Sequence, residues 1–306
     1  MSESRRAKRL RSTAASYCGT RARSRPLLYD AHALKVDLHS HSTVSDGLDD
    51  PAALVGRMAE AGLDAFALTD HDTLQGLPEA REEAKRRGVR LISGAEISAE
   101  WGGQDDIHIL ALFVDEGNAE FHAQLEKRQE ERRSRGERMA ARLIEHGYAL
   151  DLEAIRADVG DGVWGRPHLA RALVRAGHAT SNDDAFDRFL GREHPWYVPY
   201  EKWKAEEVID AVHGAGGVTS LAHSVWYRES DTLIRALAAR GLDALEVRHP
   251  DHTPDMENIL TLLAGELSLA ATAGSDFHGS PDGRKRPGGV YGDAAMLAEL
   301  ERRRPA

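Results

Sequence analysis

The feature that most constrains this 306-residue chain is an alternation of short apolar runs with amphipathic segments. Lys35–Leu38, Ala65–Thr69, Val89–Ile97, Ile107–Val114, Val218–Ala222, Ala244–Val247 and Ala270–Ala273 read as strands. Pro51 to Ala61, Pro78–Arg87, Glu206–Gly214, Thr232–Arg240 and Pro254–Ala264 read as helices. The first helix carries its own punctuation: Asp49 or Asp50 as N-cap, Pro51 in the first turn and Gly62 at the C-terminal end. Strands interleaved with helices predict a parallel α/β sheet, closed or nearly closed. In such a sheet the chemistry sits at the carboxyl ends of the strands.

Those ends carry a recurring set of histidines and carboxylates. They are Asp37-Leu38-His39-Ser40-His41 with Asp46 soon after, Thr69-Asp70-His71-Asp72, Gly94-Ala95-Glu96, His108, His223, and Gly274-Ser275-Asp276-Phe277-His278. Buried polar groups cost free energy unless paired, so packing alone does not explain the repetition. Imidazole and carboxylate hold divalent metals where no thiolate is available. The one cysteine, Cys18, excludes a thiolate site and a disulfide framework. His39 and His41 lie two apart, which lets both point to one side of an extended segment. One such pair says little, but six segments at strand ends point to a metal cluster, with Glu96 placed to bridge two ions.

The alternation breaks between residues 119 and 200. Ala119–His146 is a long charged helical stretch, and Ala154 to Gly191 shows helix and loop but no clear strand. This block reads as a helical insertion or lid between barrel segments 35–118 and 201–290, with 291–306 as a tail. The formal charge of −10 is uneven: residues 1–25 hold eight Arg/Lys against one acid, leaving +7 there and −17 elsewhere. Residues 1–34 therefore read as a basic, disordered arm, with a nucleic-acid contact or a transit peptide as alternatives. The acidic body disfavours tight binding to long nucleic acid but not catalysis on small anions. No apolar run is long enough to cross a membrane, and a cytoplasmic location is the expectation. No stable protein partner can be inferred.

From about Val36 to Gly279 these motifs resemble the polymerase-and-histidinol-phosphatase (PHP) superfamily of metal-dependent phosphoesterases. Every ligand position of that pattern is filled. Gly165-Arg166-Pro167-His168, Trp196-Tyr197-Val198-Pro199 and Leu245-Glu246-Val247 leading to His249-Pro250 resemble its nucleotide-bisphosphate phosphatase branch, whose members also trim short RNA from the 5′ end. Ser224 stands where proline is expected, and Glu193-His194 where a basic residue is expected. The resemblance implies a distorted (β/α)7-type barrel with a helical insertion, and two or three divalent ions. His39, His41, Glu96 and Asp276 would hold the first ion. Asp46, His71 and Glu96 would hold the second, and His108, His223 and His278 the third. Manganese is the first expectation, with iron and zinc open. Asp70 and Asp72 are candidates to orient imidazoles or to cap a turn.

Clustered metals lower the pKa of a shared water and neutralise phosphoryl oxygens. Glu96 and His223 are the catalytic candidates, His223 or a metal-held water protonating the leaving group. Arg166 is the first phosphate-binding candidate, because guanidinium bonds phosphate bidentately. His168, Arg192, Lys202 and His249 follow. Trp164, Trp196, Tyr197, Tyr200 and Trp203 either stack a base or form a small core under the lid. The expected activity is removal of the 3′-phosphate from a nucleoside 3′,5′-bisphosphate. The alternatives are 5′→3′ exonuclease action on short RNA, histidinol-phosphate hydrolysis, and a non-catalytic metal-binding module, which the complete ligand set argues against.

Overall fold

The computed structural model describes residues 34–160, 162, 164–199, 201–279 and 285–305. Residues 1–33 of the basic arm and Tyr200 lie outside these, so the expectations placed on them do as well. Strands β1 (Val36–Asp37), β2 (Ala65–Leu68), β3 (Arg90–Trp101), β4 (Gln104–Leu112), β6 (Val218–Leu221), β7 (Ala244–Arg248) and β8 (Ala270–Ala273) follow one another in one sheet. The two-residue β5 (Trp203–Lys204) pairs with β3. The two ends of the sheet meet. The amide of Leu38 donates to Ala273 O at 3.0 Å, and those of His41 and Asp276 donate to Phe277 O and His39 O at 2.9 Å each. The result is a nearly closed, distorted barrel with helices outside it.

Strand parity decides which residues face inward. Phe66 and Leu68 pack outward against the helices, whereas Ala65 and Ala67 join the inner core. On β4, Ile107, Ile109 and Ala111 face out, and Leu110 and Leu112 face in. His108 shares the inward parity, as Glu96 does on β3 and Glu246 does on β7. Helices α1 (Pro51–Glu60), with Asp50 accepting from the Ala53 amide, and α2 (Leu77–Arg87) cover the first strands.

One strand departs from the parallel expectation: β4 runs antiparallel to both β3 and β6. Gly102 and Gly103, at φ 57° and 78°, close a hairpin too short for a crossover helix, so the chain must reverse. β4 delivers His108 from its middle, and β3 likewise delivers Glu96 from within the strand.

Between β4 and β5 the chain forms α3 (Ala119–Glu145), α4 (Leu152–Val159), α5 (Arg166–Arg175), α6 (Asn182–Ala185) and a π turn over Phe186–Leu190, the stretch expected as an insertion. It has its own core of Met139, Leu143, Ile155, Leu173, Phe189 and neighbours. Trp164 and Trp196 are buried in that core, and Trp203 is buried in the main one beneath the Arg128 guanidinium. Of the two readings of these aromatics, packing holds for all three tryptophans. Helices α7 (Ala205–Gly214), α8 (Ser230–Ala239) and α9 (Pro254–Glu266) complete the outer layer. The stretch expected only as a tail contains α10 (Ala294–Arg303), capped by Asp293, and its Leu297 and Leu300 enter the inner core. Among the described residues no helix is long and apolar enough to cross a membrane.

Candidate metal centre

The segment after β1 is extended and tied on both sides. Ser40 bridges to Phe277, and its amide and carbonyl both bond the Thr69 hydroxyl at 3.0 Å. Residues 39 and 41 therefore point the same way, and both imidazoles are fully buried. Asp70 shapes the next loop. It accepts from the Ser42 amide at 2.8 Å and from the Ser42 and Ser45 hydroxyls at 2.7 Å each, which brings Asp46 back toward His41.

Glu96 stands at the middle of the cluster. Its carboxylate lies 3.3 Å from His39, 3.1 Å from His41, 3.2 Å from His71, 2.7 Å from His108 and 3.0 Å from His223. Burial would raise its pKa, but the imidazoles of His71, His108 and His39 outweigh burial and hold it well below the usual carboxylate range. Asp276 lies 3.4 Å from both His39 and His41. Burial likewise works against charging His41, yet Asp276, Glu96 and Asp46 push its pKa up to about 9.

Three donor groups emerge: His39, His41, Glu96 and Asp276; His41, Asp46, His71 and His278; and His71, Glu96 and His108, with the ligating atoms of each group within 4.8 Å of one another. The third group implied by the resemblance is thus redrawn. His278 stacks on His41 at 4.1 Å and lies 3.3 Å from Asp46, whereas His108 and His223 gather on the other side of Glu96. The residues fit divalent ions. His39 Nε2, both nitrogens of His41, His71 Nδ1 and His108 Nδ1 are buried without a hydrogen-bond partner. Buried ring nitrogens left without a partner are costly, and a divalent ion in place of the protons would satisfy them. An all-N/O set suits manganese, iron or zinc.

The groups that orient the imidazoles are not those expected. Asp70 serves the Ser42–Ser45 loop. Asp72 accepts from the Ser98 amide at 2.9 Å and from Arg132 at 2.7 Å. The orienting role falls to Glu246, fully buried, 3.1 Å from His39 Nδ1 and accepting from the His223 amide at 2.7 Å. On His223, Tyr227 does the same work: its hydroxyl accepts the His108 amide at 2.9 Å and lies 3.1 Å from His223 Nδ1. In the sequence, Glu246 stands in a family-like motif that does not reveal this role, and Tyr227 stands in none. The available signal was a carboxylate at inward parity within an apolar strand.

Other site expectations change. Burial pulls the His223 pKa down to about 4, which suits a neutral ligand better than a store for the leaving group's proton. Buried His249 accepts the Asp251 amide on Nδ1 at 3.1 Å, so its Nε2 donates to Asp276 at 3.2 Å. It braces Asp276. His168 accepts the Gly165 amide at 3.1 Å to cap α5, and burial lowers its pKa to about 4, so it offers no cation to phosphate. The other three candidates converge. Arg166 lies 2.9 Å from Asp106 and Lys202 contacts the same carboxylate, while Arg192 pairs with Asp105. Lys285, also missed, contacts Asp276.

Several known proteins are similar to this chain. The PHP domain model matches residues 37–187. A 5′-3′ exoribonuclease from Haemophilus influenzae is 36% identical over 80% of this chain and 90% of its own length. A 3′,5′-nucleoside bisphosphate phosphatase from Chromobacterium violaceum is 34% identical over 83% of this chain and 90% of its own. A crystal structure from Bifidobacterium adolescentis, whose name places it among metal-dependent phosphoesterases, superposes with a TM-score of 0.81 at 33% identity, covering 89% of this chain and 96% of that one. With these relatives and an acid- and imidazole-lined barrel mouth, the chain belongs to the PHP family and is a metal-dependent phosphate ester hydrolase.

Proposed function

We propose that this enzyme removes the 3′-phosphate from nucleoside 3′,5′-bisphosphates. His39, His41, Asp46, His71, Glu96, His108, His223, Asp276 and His278 are the proposed ligands. Divalent ions held there supply a water of lowered pKa and neutralise charge on the phosphoryl oxygens. Glu96 fixes the spacing of the ligand groups. Glu246, Tyr227 and His249 keep His39, His223 and Asp276 in place.

The observation that carries the substrate is the convergence of Arg166, Lys202 and Arg192 on Asp105 and Asp106, next to His108 on β4. Three cations beside the metal ligands, outside the ligand set, suit a phosphate that is bound but not cleaved. An incoming phosphate exchanges with Asp105 and Asp106 for those cations. Arg166→Ala is expected to lower kcat/KM for adenosine 3′,5′-bisphosphate about 10- to 150-fold. That range corresponds to about 1.5–3 kcal/mol for one charge-assisted contact. Hydrolysis of p-nitrophenyl phosphate, which has no second phosphate, should fall far less. Equal losses on the two substrates would place Arg166 at the reacting group or in folding. No loss on either would remove this support for a bisphosphate.

The second reading, 5′→3′ cleavage of short RNA, uses the same site and is favoured by the name of the Haemophilus influenzae relative. A manganese-supplemented panel of bisphosphates, mononucleotides, histidinol phosphate and short RNA separates the two.

A further inference from the structure

Among the described residues, four large hydrophobic side chains are well exposed: Leu48, Ile144, Trp226 and Leu262. Two of the four border the metal-ligand cluster. The Leu48 amide donates to His278 O at 2.9 Å. Trp226, 38% exposed, stacks on the His223 imidazole with ring centroids 4.0 Å apart at 23°.

The backbone holds the indole there. His223 sits at φ 29° and ψ 48°, in the left-handed region that a residue with a side chain adopts at a cost. This bend and the 3₁₀ turn Ser224–Trp226, closed by the Trp226 amide on His223 O at 3.1 Å, bring the indole back over the imidazole. The indole also meets His249 edge-on at 5.5 Å, and the Lys285 ammonium lies 5.0 Å from its centroid. The tryptophans of the insertion, by contrast, are buried in its core.

We propose that Trp226 is the nucleobase platform of the substrate site. This rests on the reading that the substrate is a nucleotide. Every base presents a π face, so an indole favours nucleotides over other phosphate esters without selecting among bases. His223 takes one indole face and the Lys285 ammonium lies over the ring while contacting Asp276, so a stacking base takes the place of that ammonium and leaves Lys285 to meet its phosphate.

The test compares wild type, Trp226→Phe and Trp226→Ala on adenosine 3′,5′-bisphosphate and on 1,2-dideoxyribose 3,5-bisphosphate, which lacks the base. Trp226→Ala should raise KM for the nucleotide at least about tenfold more than for the base-free compound, and Trp226→Phe should recover most of the difference. Equal effects on both substrates would overturn the proposal and leave Trp226 as packing for His223. AMP should also quench the fluorescence of wild type saturably, and Trp226→Phe should lose that quenching. If wild type cleaves neither bisphosphate yet AMP still quenches through Trp226, the substrate reading fails and the platform stands. If wild type cleaves the nucleotide and neither the KM difference nor the quenching appears, the platform fails alone.

Discussion

Replacing Glu96 with alanine is expected to abolish hydrolysis while leaving the fold largely intact. One carboxylate stands within about 3 Å of five imidazoles, from His39, His41, His71, His108 and His223. Among the described residues, no other side chain stands this close to as many proposed ligands. Its strand is not at risk, because Ala95 and Ile97 on the opposite face keep their outward core. Turnover should fall at least about hundredfold, roughly 2.7 kcal/mol in barrier, with circular dichroism and melting temperature near wild type. Retention of more than about a tenth of wild-type turnover, a loss under about 1.4 kcal/mol, would contradict the bridging role.

Glu246→Ala is expected to weaken metal binding about 10- to 100-fold, the usual consequence of losing a group that orients a ligating histidine. Glu246 is fully buried, yet His39 brings its pKa down to about 2 despite the burial. One oxygen fixes the tautomer and ring plane of His39 through Nδ1, and the other holds the backbone of His223. Alanine releases both ligands at once and leaves a buried amide unpaired. Glu246→Gln keeps an acceptor and should fall between the two. Manganese titration followed by calorimetry reads this directly, and an unchanged apparent Kd for Glu246→Ala would show that the carboxylate serves packing only.

Much of the barrel is legible in the chain because strand parity is a strict period of two. Ala65 and Ala67 against Phe66 and Leu68 already separate the inner face from the outer. Helix stops and starts at Asp50-Pro51 and Gly88 are local chemistry and can be read locally. The reversal of β4 was within reach, since Gly102-Gly103 is a hairpin signal, but strand–helix alternation elsewhere favoured a parallel reading. Long-range pairing is harder. Nothing near His249 or His168 says that one braces Asp276 across the barrel and the other caps its own helix. The same holds for Asp70, whose partners lie about 25 residues earlier in the Ser42–Ser45 loop. The grouping of His278 with Asp46 rather than with His108 and His223 likewise depends on where the barrel closes.

The measurement that reaches the central claim most directly is the metal content of the purified protein after manganese supplementation. Five buried imidazole nitrogens without hydrogen-bond partners, among three overlapping donor groups, predict two or three transition-metal ions per chain by elemental analysis. Glu96→Ala should bind fewer. Less than one ion per chain in the wild type would contradict the metal cluster, and with it the account of how this protein cleaves phosphate esters.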